Sequence, residues 1–425
     1  MKKALKTKIR GLNKSQFKRL RKLTAHAKNL YNQTLWTLRQ AYEATGKYFS
    51  YPQMDKAMKQ VHNLEGEINY KLLKAKVSQQ ILRRLDKNFK SFFVATQDFK
   101  KNPSKYKGQP KPPRFKKSQY DNLIYDFQAF QIDFDKVVLD ATKGNELKIP
   151  LPKQLIGKNI KQVEIIPKPH SFQAVFVYEE NQATYQQAVP NDQVMSIDLG
   201  LNNLATCVTN GVIKPFIIDG RRIKSVNAYY NKRKAKIQSE LEKYRGKKWS
   251  NRLQNLTDWR NARINDCLHK ATAHVVKICL VNNISKVVVG DVTKSLDHIN
   301  LGKKTNQNFV NLSLGQFVDK LRYKLGLHSI KLTVANESYT SKASFVDGDK
   351  MPKKYVKEAK PTYSGKRIKR GLYQSQDGTL VNADANGAYN ILRKSDSKFS
   401  FGKLVEKVGD YVKDWLHPTQ RVFIK

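Results

Sequence analysis

Residues 194–218 read VMSIDLGLNNLATCVTNGVIKPFII. Val194 to Ile197 is a continuous apolar run of strand length that ends at Asp198 and Gly200. Leu204 to Thr209 is a second strand, Asn210-Gly211 is a strong hairpin signal, and Val212 to Ile218 is a third strand. Three antiparallel strands are expected, with an acid at the end of the first. A solvated surface acid would be out of place there, although an aspartate that initiates the Leu-Gly turn fits the same residue equally well.

Working outward, the chain next becomes helical and basic through Arg221, Arg222, Lys232, Arg233, Lys234, Arg245, Lys247 and Lys248. A helix around Asn265 to Asn282 follows, then a strand at Lys286 to Val289, a helix around Leu314 to Leu325, a strand at Ile330 to Ala335 and a helix from Asp384. Three antiparallel strands followed by helix, strand, helix, strand, helix is the element order of the RNase H fold. In NADANGAYNILRK (382–394), Asp384 opens the last helix, and Ala388, Ile391 and Leu392 are spaced to pack on the sheet. Alone, Asp384 would be read as a helix cap. Taken with Asp198 it supplies the second of the acids that this fold brings together to hold divalent ions at a phosphodiester.

Upstream, a basic strand at Lys3 to Arg10 precedes a capping-box start at Asn13 and Gln16. Phe17, Leu20, Ala27, Leu30, Tyr31, Leu35 and Leu38 then recur at helical steps. A second amphipathic helix carries Val77, Ile81, Leu85, Phe89 and Phe92, with Lys74, Lys76, Arg83, Arg84, Lys87 and Lys90 around them. Such a basic face is partly a solvated surface and partly a candidate phosphate contact. The Pro-, Gly- and Lys-rich run at 101–117 ends the helical region. Strands are expected at Phe127 to Phe134, Lys136 to Leu139, Leu147 to Pro150, Gln162 to Ile166 and Phe172 to Val177, forming a small antiparallel barrel or sheet. The helical block is then an insertion between the first strand and the later ones.

The 425 residues include 80 Lys plus Arg against 35 Asp plus Glu, a formal charge of +45, which calls for a polyanion to relieve self-repulsion. Cationic residues alternate with apolar ones along nearly the whole chain, which points to grooves on folded domains instead of a charged tail. Cys207, Cys267 and Cys279 match neither a disulfide framework nor a metal knuckle, so a reducing, cytoplasmic setting is expected. The start, MKKALKTKIR, lacks an apolar export segment, and no apolar run reaches membrane-spanning length.

Five ordered stretches carry a more specific likeness: SIDLGLNNLATC around Asp198, NLGKKTNQNFVNL at 300–312, ESYTSKASFVDGD at 337–349, SGKRIKRGLY at 364–373 and NADANGAYNILRK around Asp384. Fainter matches lie at Lys111 to Lys116 and in the Val77 to Phe93 helix. Together they resemble the TnpB proteins of bacterial insertion sequences. The resemblance implies an RNA-guided DNA endonuclease of α+β, multidomain build. It implies a wedge-like β-barrel (1–12 and 102–190), a helical recognition domain (13–101), a RuvC-type, RNase-H-like α/β nuclease domain (191–394) and a basic C-terminal tail (395–425). Guide RNA and target double-stranded DNA are the implied partners, with a monomer on one guide, no membrane and two magnesium ions as cofactor, manganese being an acceptable substitute. Implied phosphate contacts are Lys74, Lys76, Arg83, Arg84, Lys87, Arg114, Lys116, Arg221, Arg222, Lys366, Arg367 and Arg370.

Two departures from the family pattern matter. Residues 338–383 contain no cysteine where many members carry a four-cysteine zinc ribbon, so no zinc is expected. The usual middle glutamate after the fourth strand is replaced by Gly290 in VVVGDV. Neighbouring strands lie about 4.8 Å apart, so an acid just past the fifth strand can reach the vacated place. Glu337, two residues beyond LTVA (332–335), is that acid, and the expected metal-binding set is Asp198, Glu337 and Asp384. Asp291 is the local competitor, reaching the site only if the strand end turns. The rival functions are a nuclease-dead RNA-guided binder, a type V CRISPR effector, and a stand-alone ribonuclease H or junction resolvase.

Overall fold

The computed structural model describes residues 2–142, 146–181, 185–200, 202–246, 249–291, 314–352, 361–418 and 420–424, so the 300–312 motif and Lys247 and Lys248 lie outside the described residues. The chain divides into two units, Met1–Gln182 and Ala183–Lys425.

In the first unit, β1 (Lys2–Lys8) leads into α1 (Lys14–Thr45), whose start is the expected reciprocal capping box of Asn13 and Gln16. After α2 (Tyr51–Met58) comes α3 (Ala75–Lys101). The apolar stripes of α1 and α3, including Leu20, Leu30, Leu35, Val77, Ile81 and Leu85, are buried in one core with the strands that follow. Those strands are β2 (Leu123–Asp126), β3 (Gln131–Asp133), β4 (Lys136–Asp140), β5 (Leu147–Pro150), β6 (Asn159–Lys168) and β7 (Ser171–Glu179). They pair in two antiparallel sheets, β1-β7-β6-β2 and β3-β4-β5. The helices are thus inserted after the first strand of a sheet, as expected, but no closed barrel forms among the described residues. The strand expected at 127–134 is interrupted by a turn in which Asp126 accepts from the Gln128 amide, and β3 beyond it is short and exposed.

The second unit is built on a six-stranded sheet of β8 (Val194–Leu199), β9 (Asn203–Thr209), β10 (Phe216–Asp219), β11 (Lys286–Gly290), β12 (Lys331–Ala335) and β16 (Gln420–Val422), in the order β12-β11-β8-β9-β10-β16. β8, β9 and β10 are antiparallel, while β11 runs parallel to both β8 and β12, as the element order implied. β10 is shorter than expected because Thr209 Oγ1 accepts from the Val212 and Ile213 amides, which opens the hairpin into a wider loop. On one face pack α5 (Asn251–Val281) and α6 (Leu314–Leu327), burying Met195, Ile197, Leu199, Val287 and Val289. α4 (Arg221–Arg245) pairs with α5. On the other face, α7 (Ala383–Ser395) covers Val194, Val208 and Val288. A small sheet of β13 (Lys366–Lys369), β14 (Leu372–Gln374) and β15 (Leu380–Asn382) leads into α7.

Residues 395–425 differ from the expected tail. α8 (Phe401–Val408) and α9 (Val412–Leu416) bury Leu404, Trp415 and Leu416 against α7, and β16 adds a parallel edge strand to β10. Apolar residues spaced among the lysines there are enough to dock the segment. No helix among the described residues is long and apolar enough to cross a membrane.

Candidate active site at the sheet and the last helix

Strand alternation decides which acids can meet. Met195, Ile197 and Leu199 face α5 and α6, so Ser196 and Asp198 face α7. Val289 pairs with Ile197 and shares its face, which sends Gly290 to the α7 side and Asp291 to the other. Asp291 accordingly lines a cavity of about 330 Å³ with Leu314, Val318 and Val334. Ala335 pairs with Gly290 and packs toward α7, and Glu337, two residues on, returns to that face.

Asp198 is a strand residue paired with Thr206, not a turn initiator. α7 passes over it at Gly387, where a Cβ would stand 3.0 Å from Asp198 Oδ2. Asp384 lies one turn earlier on the same helix face. The cap of α7 is Asn382, whose side chain accepts from the Asp384 and Ala385 amides, so the Asp384 carboxylate is not spent on capping. It accepts instead from Asn203 Nδ2 at 2.6 Å, and Arg367 stands 3.8 Å from its Oδ1.

Glu337 fills the gap beside Gly290. A Cβ at 290 would stand 2.5 Å from Glu337 Cγ and collide with its Oε1. That Oε1 is buried with no hydrogen-bond partner. Burial, reinforced by Asp291, pushes the Glu337 carboxyl up to about 7. Burial, then Glu337 and Asp384, push Asp198 well above the usual carboxylate range, with Arg367 opposing them.

The donor set consists of carboxylate oxygens, one of them orphaned and buried, and such a set suits a hard divalent cation. Among the described residues, no three His, Cys, Asp or Glu side chains converge closely enough to enclose one ion. A site that divides its ligands between two ions about 3.5–4 Å apart does not require that convergence.

The segment before α7 is tied to it by buried asparagines. Asn386 Oδ1 accepts from the Phe345 amide at 2.9 Å, and the Asn386 and Asn390 Nδ2 groups both donate to Ala343 O, at 2.8 and 2.7 Å. Phe345 stacks on Tyr389 with ring centroids 4.5 Å apart. Thus the SYTSKASF and NADANGAYN motifs are two sides of one packed contact.

Of the expected phosphate contacts, Arg221, Arg367 and Arg370 come together. With Lys224, Arg421 and Asp384 they line a cleft of about 670 Å³. Lys366 is exposed on β13. Arg222 instead donates to Ile424 O at 2.8 Å. In the first unit Lys74, Lys76, Arg83, Lys87 and Arg114 are exposed, whereas Arg84 and Lys116 both pair with the buried Asp121. Asn203 and Arg421 were not anticipated. Asn203 lies within the quoted LGLNN stretch, but nothing local marks its partner.

Comparisons with known proteins bear on the same regions. The probable transposase family OrfB_IS605 matches residues 174–296, and the Cas12f1-like TNB domain matches residues 315–391. The InsQ protein of Escherichia coli (strain K12), whose name proposes an RNA-guided DNA endonuclease, is 22% identical over 405 residues, covering 91% of each chain. The TnpB-like protein ORF457 of Acidianus two-tailed virus is 26% identical over 211 residues, 48% of this chain and 42% of that one. Among solved structures, the protein of a Cas12f1–sgRNA–target DNA complex superposes with a TM-score of 0.54 at 14% identity, covering 89% of this chain and 82% of that one.

Proposed function

We propose that the chain is a TnpB-type RNA-guided DNA endonuclease whose cleavage site is formed by Asp198, Glu337 and Asp384. The observation that carries this reading is the Glu337 carboxylate lying over Gly290, on the sheet face shared by Asp198 and α7. The missing middle acid is replaced from the neighbouring strand.

Asp198, Glu337 and Asp384 would hold the divalent ions, magnesium being the natural choice, which when bound supply an activated water and stabilise the leaving oxygen. Asp198, on which both Glu337 and Asp384 act electrostatically, would serve both halves of such a site. Arg221, Arg367, Arg370 and Arg421 offer donors for a phosphate backbone in the cleft beside Asp384. In the first unit, the exposed cations of α3 are available to guide RNA or heteroduplex, whose pairing would supply sequence specificity. A wedge and recognition role for residues 1–190, a nuclease role for 191–394 and recognition of a short motif beside the target belong to the same proposal.

The test supplies the full chain with guide RNA, target DNA and Mg2+. Glu337→Ala should abolish cleavage and spare DNA binding, while Asp291→Ala should still cut. Cleavage by Glu337→Ala with loss in Asp291→Ala would overturn the assignment, and a wild type that binds but never cuts would favour a nuclease-dead binder.

A further inference from the structure

We infer that Asn203 is a positioning residue for Asp384 and that the C-terminal strand β16 serves the site by supplying Arg421, which holds Asn203 in place. This rests on the reading of Asp384 as a cleavage-site acid.

Three bonds carry the inference. Asn203 Nδ2 donates to Asp384 Oδ2 at 2.6 Å, and Asn203 Oδ1 accepts from Arg421 Nη1 at 2.9 Å. The same Nη1 donates to Asp219 Oδ2 at 2.9 Å. A guanidinium can only donate and an ionised carboxylate can only accept, so the partners leave the amide one orientation. A flipped Asn203 would set its NH2 against Arg421 and its oxygen against Asp384.

Arg421 is itself fixed. Asp219 has only 5% of its side chain exposed and also accepts from Arg221 Nε and from the Arg221 amide, each at 2.8 Å. The parallel register of β16 on β10 places Arg421 beside Ile217, two residues before Asp219. Two arginines therefore meet one buried acid. The Asn203 amide, held by Arg421, thereby fixes which oxygen of Asp384 it engages. With Oδ2 engaged by Asn203, Oδ1 is the oxygen facing Arg367. Outer bonds of this kind fix the orientation of metal-binding carboxylates, and their loss commonly costs 10–100-fold in metal affinity or activity.

The experiment uses the full chain with its guide RNA and compares wild type, Asn203→Ala, Arg421→Met, Arg421→Lys and Asp384→Ala. Four quantities are measured: target cleavage, target binding, melting temperature, and Mn2+ affinity from the free-ion signal in electron paramagnetic resonance. Asn203→Ala should weaken Mn2+ binding and slow cleavage about tenfold or more, with target binding and melting temperature little changed, and Arg421→Met should reproduce both losses. Arg421→Lys, which keeps a donor for Asn203, should recover part of both losses. Asn203→Ala removes no backbone pairing, so it decides the matter if Arg421→Met fails to fold. Wild-type Mn2+ affinity and cleavage in Asn203→Ala, with Asp384→Ala inactive, would overturn this inference alone. Full cleavage by Asp384→Ala would overturn the site assignment itself.

Discussion

The Glu337 carboxylate occupies the space that a side chain on Gly290 would need: a Cβ there would stand 2.5 Å from Glu337 Cδ and Cγ. The two positions are mutually exclusive tenants of one place on the α7 face of the sheet. Gly290→Glu alone should therefore displace Glu337, lower stability by about 1–3 kcal/mol through overpacking and charge repulsion, and impair cleavage. Combined with Glu337→Gly it should recover both, because the acid again comes from β11. Thermal unfolding and guided cleavage of the single and double variants check this; no recovery in the double variant would mean that the two sites are not interchangeable.

The cysteine-free segment is joined by a hydrogen-bonded acid. Asp347 Oδ2 accepts from Ser364 Oγ at 2.8 Å and from the Gln376 amide at 3.0 Å, bridging parts of the chain before and after β13. Tyr373 OH adds a bond to Lys342 O at 2.8 Å. Asp347→Ala should cost about 0.5–1.5 kcal/mol by removing the acceptor of the Gln376 amide, Ser364 Oγ keeping Asp349 Oδ1 at 2.7 Å. Metal analysis of the purified protein should find no stoichiometric zinc, and chelation of zinc should leave the melting temperature unchanged.

On α3 the cations divide into two kinds. Arg84, with Lys116, is held by Asp121, which is 5% exposed and whose amide donates to Thr24 O. Arg84→Ala should lower stability by about 1–3 kcal/mol because a buried acid loses a partner. Lys76 and Lys87 are exposed. Lys76→Ala with Lys87→Ala should leave unfolding unchanged and flatten the salt dependence of guide-RNA binding, each lost phosphate contact reducing the slope by about 0.7–0.9. An unchanged slope would assign that face to solvent.

Lys324 offers a pH signature away from the acids. Burial, then Lys320, lower its ammonium from 10.5 to about 8, while its Nζ donates to His269 O. Since the folded form loses this proton before the unfolded form, the destabilisation is fully present below pH 8 and fades as pH rises toward 10.5. Lys324→Met should be the more stable protein at pH 7, by a margin that solvent screening keeps small. Urea-unfolding curves for the two proteins should converge by pH 10.5.

Much of the second unit was legible because its signals are local. Apolar runs of strand length, helical spacing and the Asn382-headed start of α7 lie in adjacent residues, and strand alternation alone separates Gly290 from Asp291. The resemblance of the motifs then indicated which acids to seek. The first unit's helices were legible for the same reason, through the Asn13 cap and the stripe from Leu20 to Leu38. Barrel closure was not, because it depends on whether edge strands meet, and no residue within β3 or β2 encodes that.

By itself, then, the sequence determined the element order, the basic surface, the absence of a cysteine ribbon and the three candidate acids. The tertiary structure decided how those pieces are joined. It placed Glu337 in the gap at Gly290, drew Arg84 and Lys116 onto Asp121, and turned residues 395–425 from an apparent tail into the helices and strand that deliver Arg421 to Asn203, the partner of Asp384. Each of these is a contact between residues far apart along the chain. Short-range periodicity specifies which face a side chain takes, but the partner on that face is set only when strand registers and helix packing close the long loops between them.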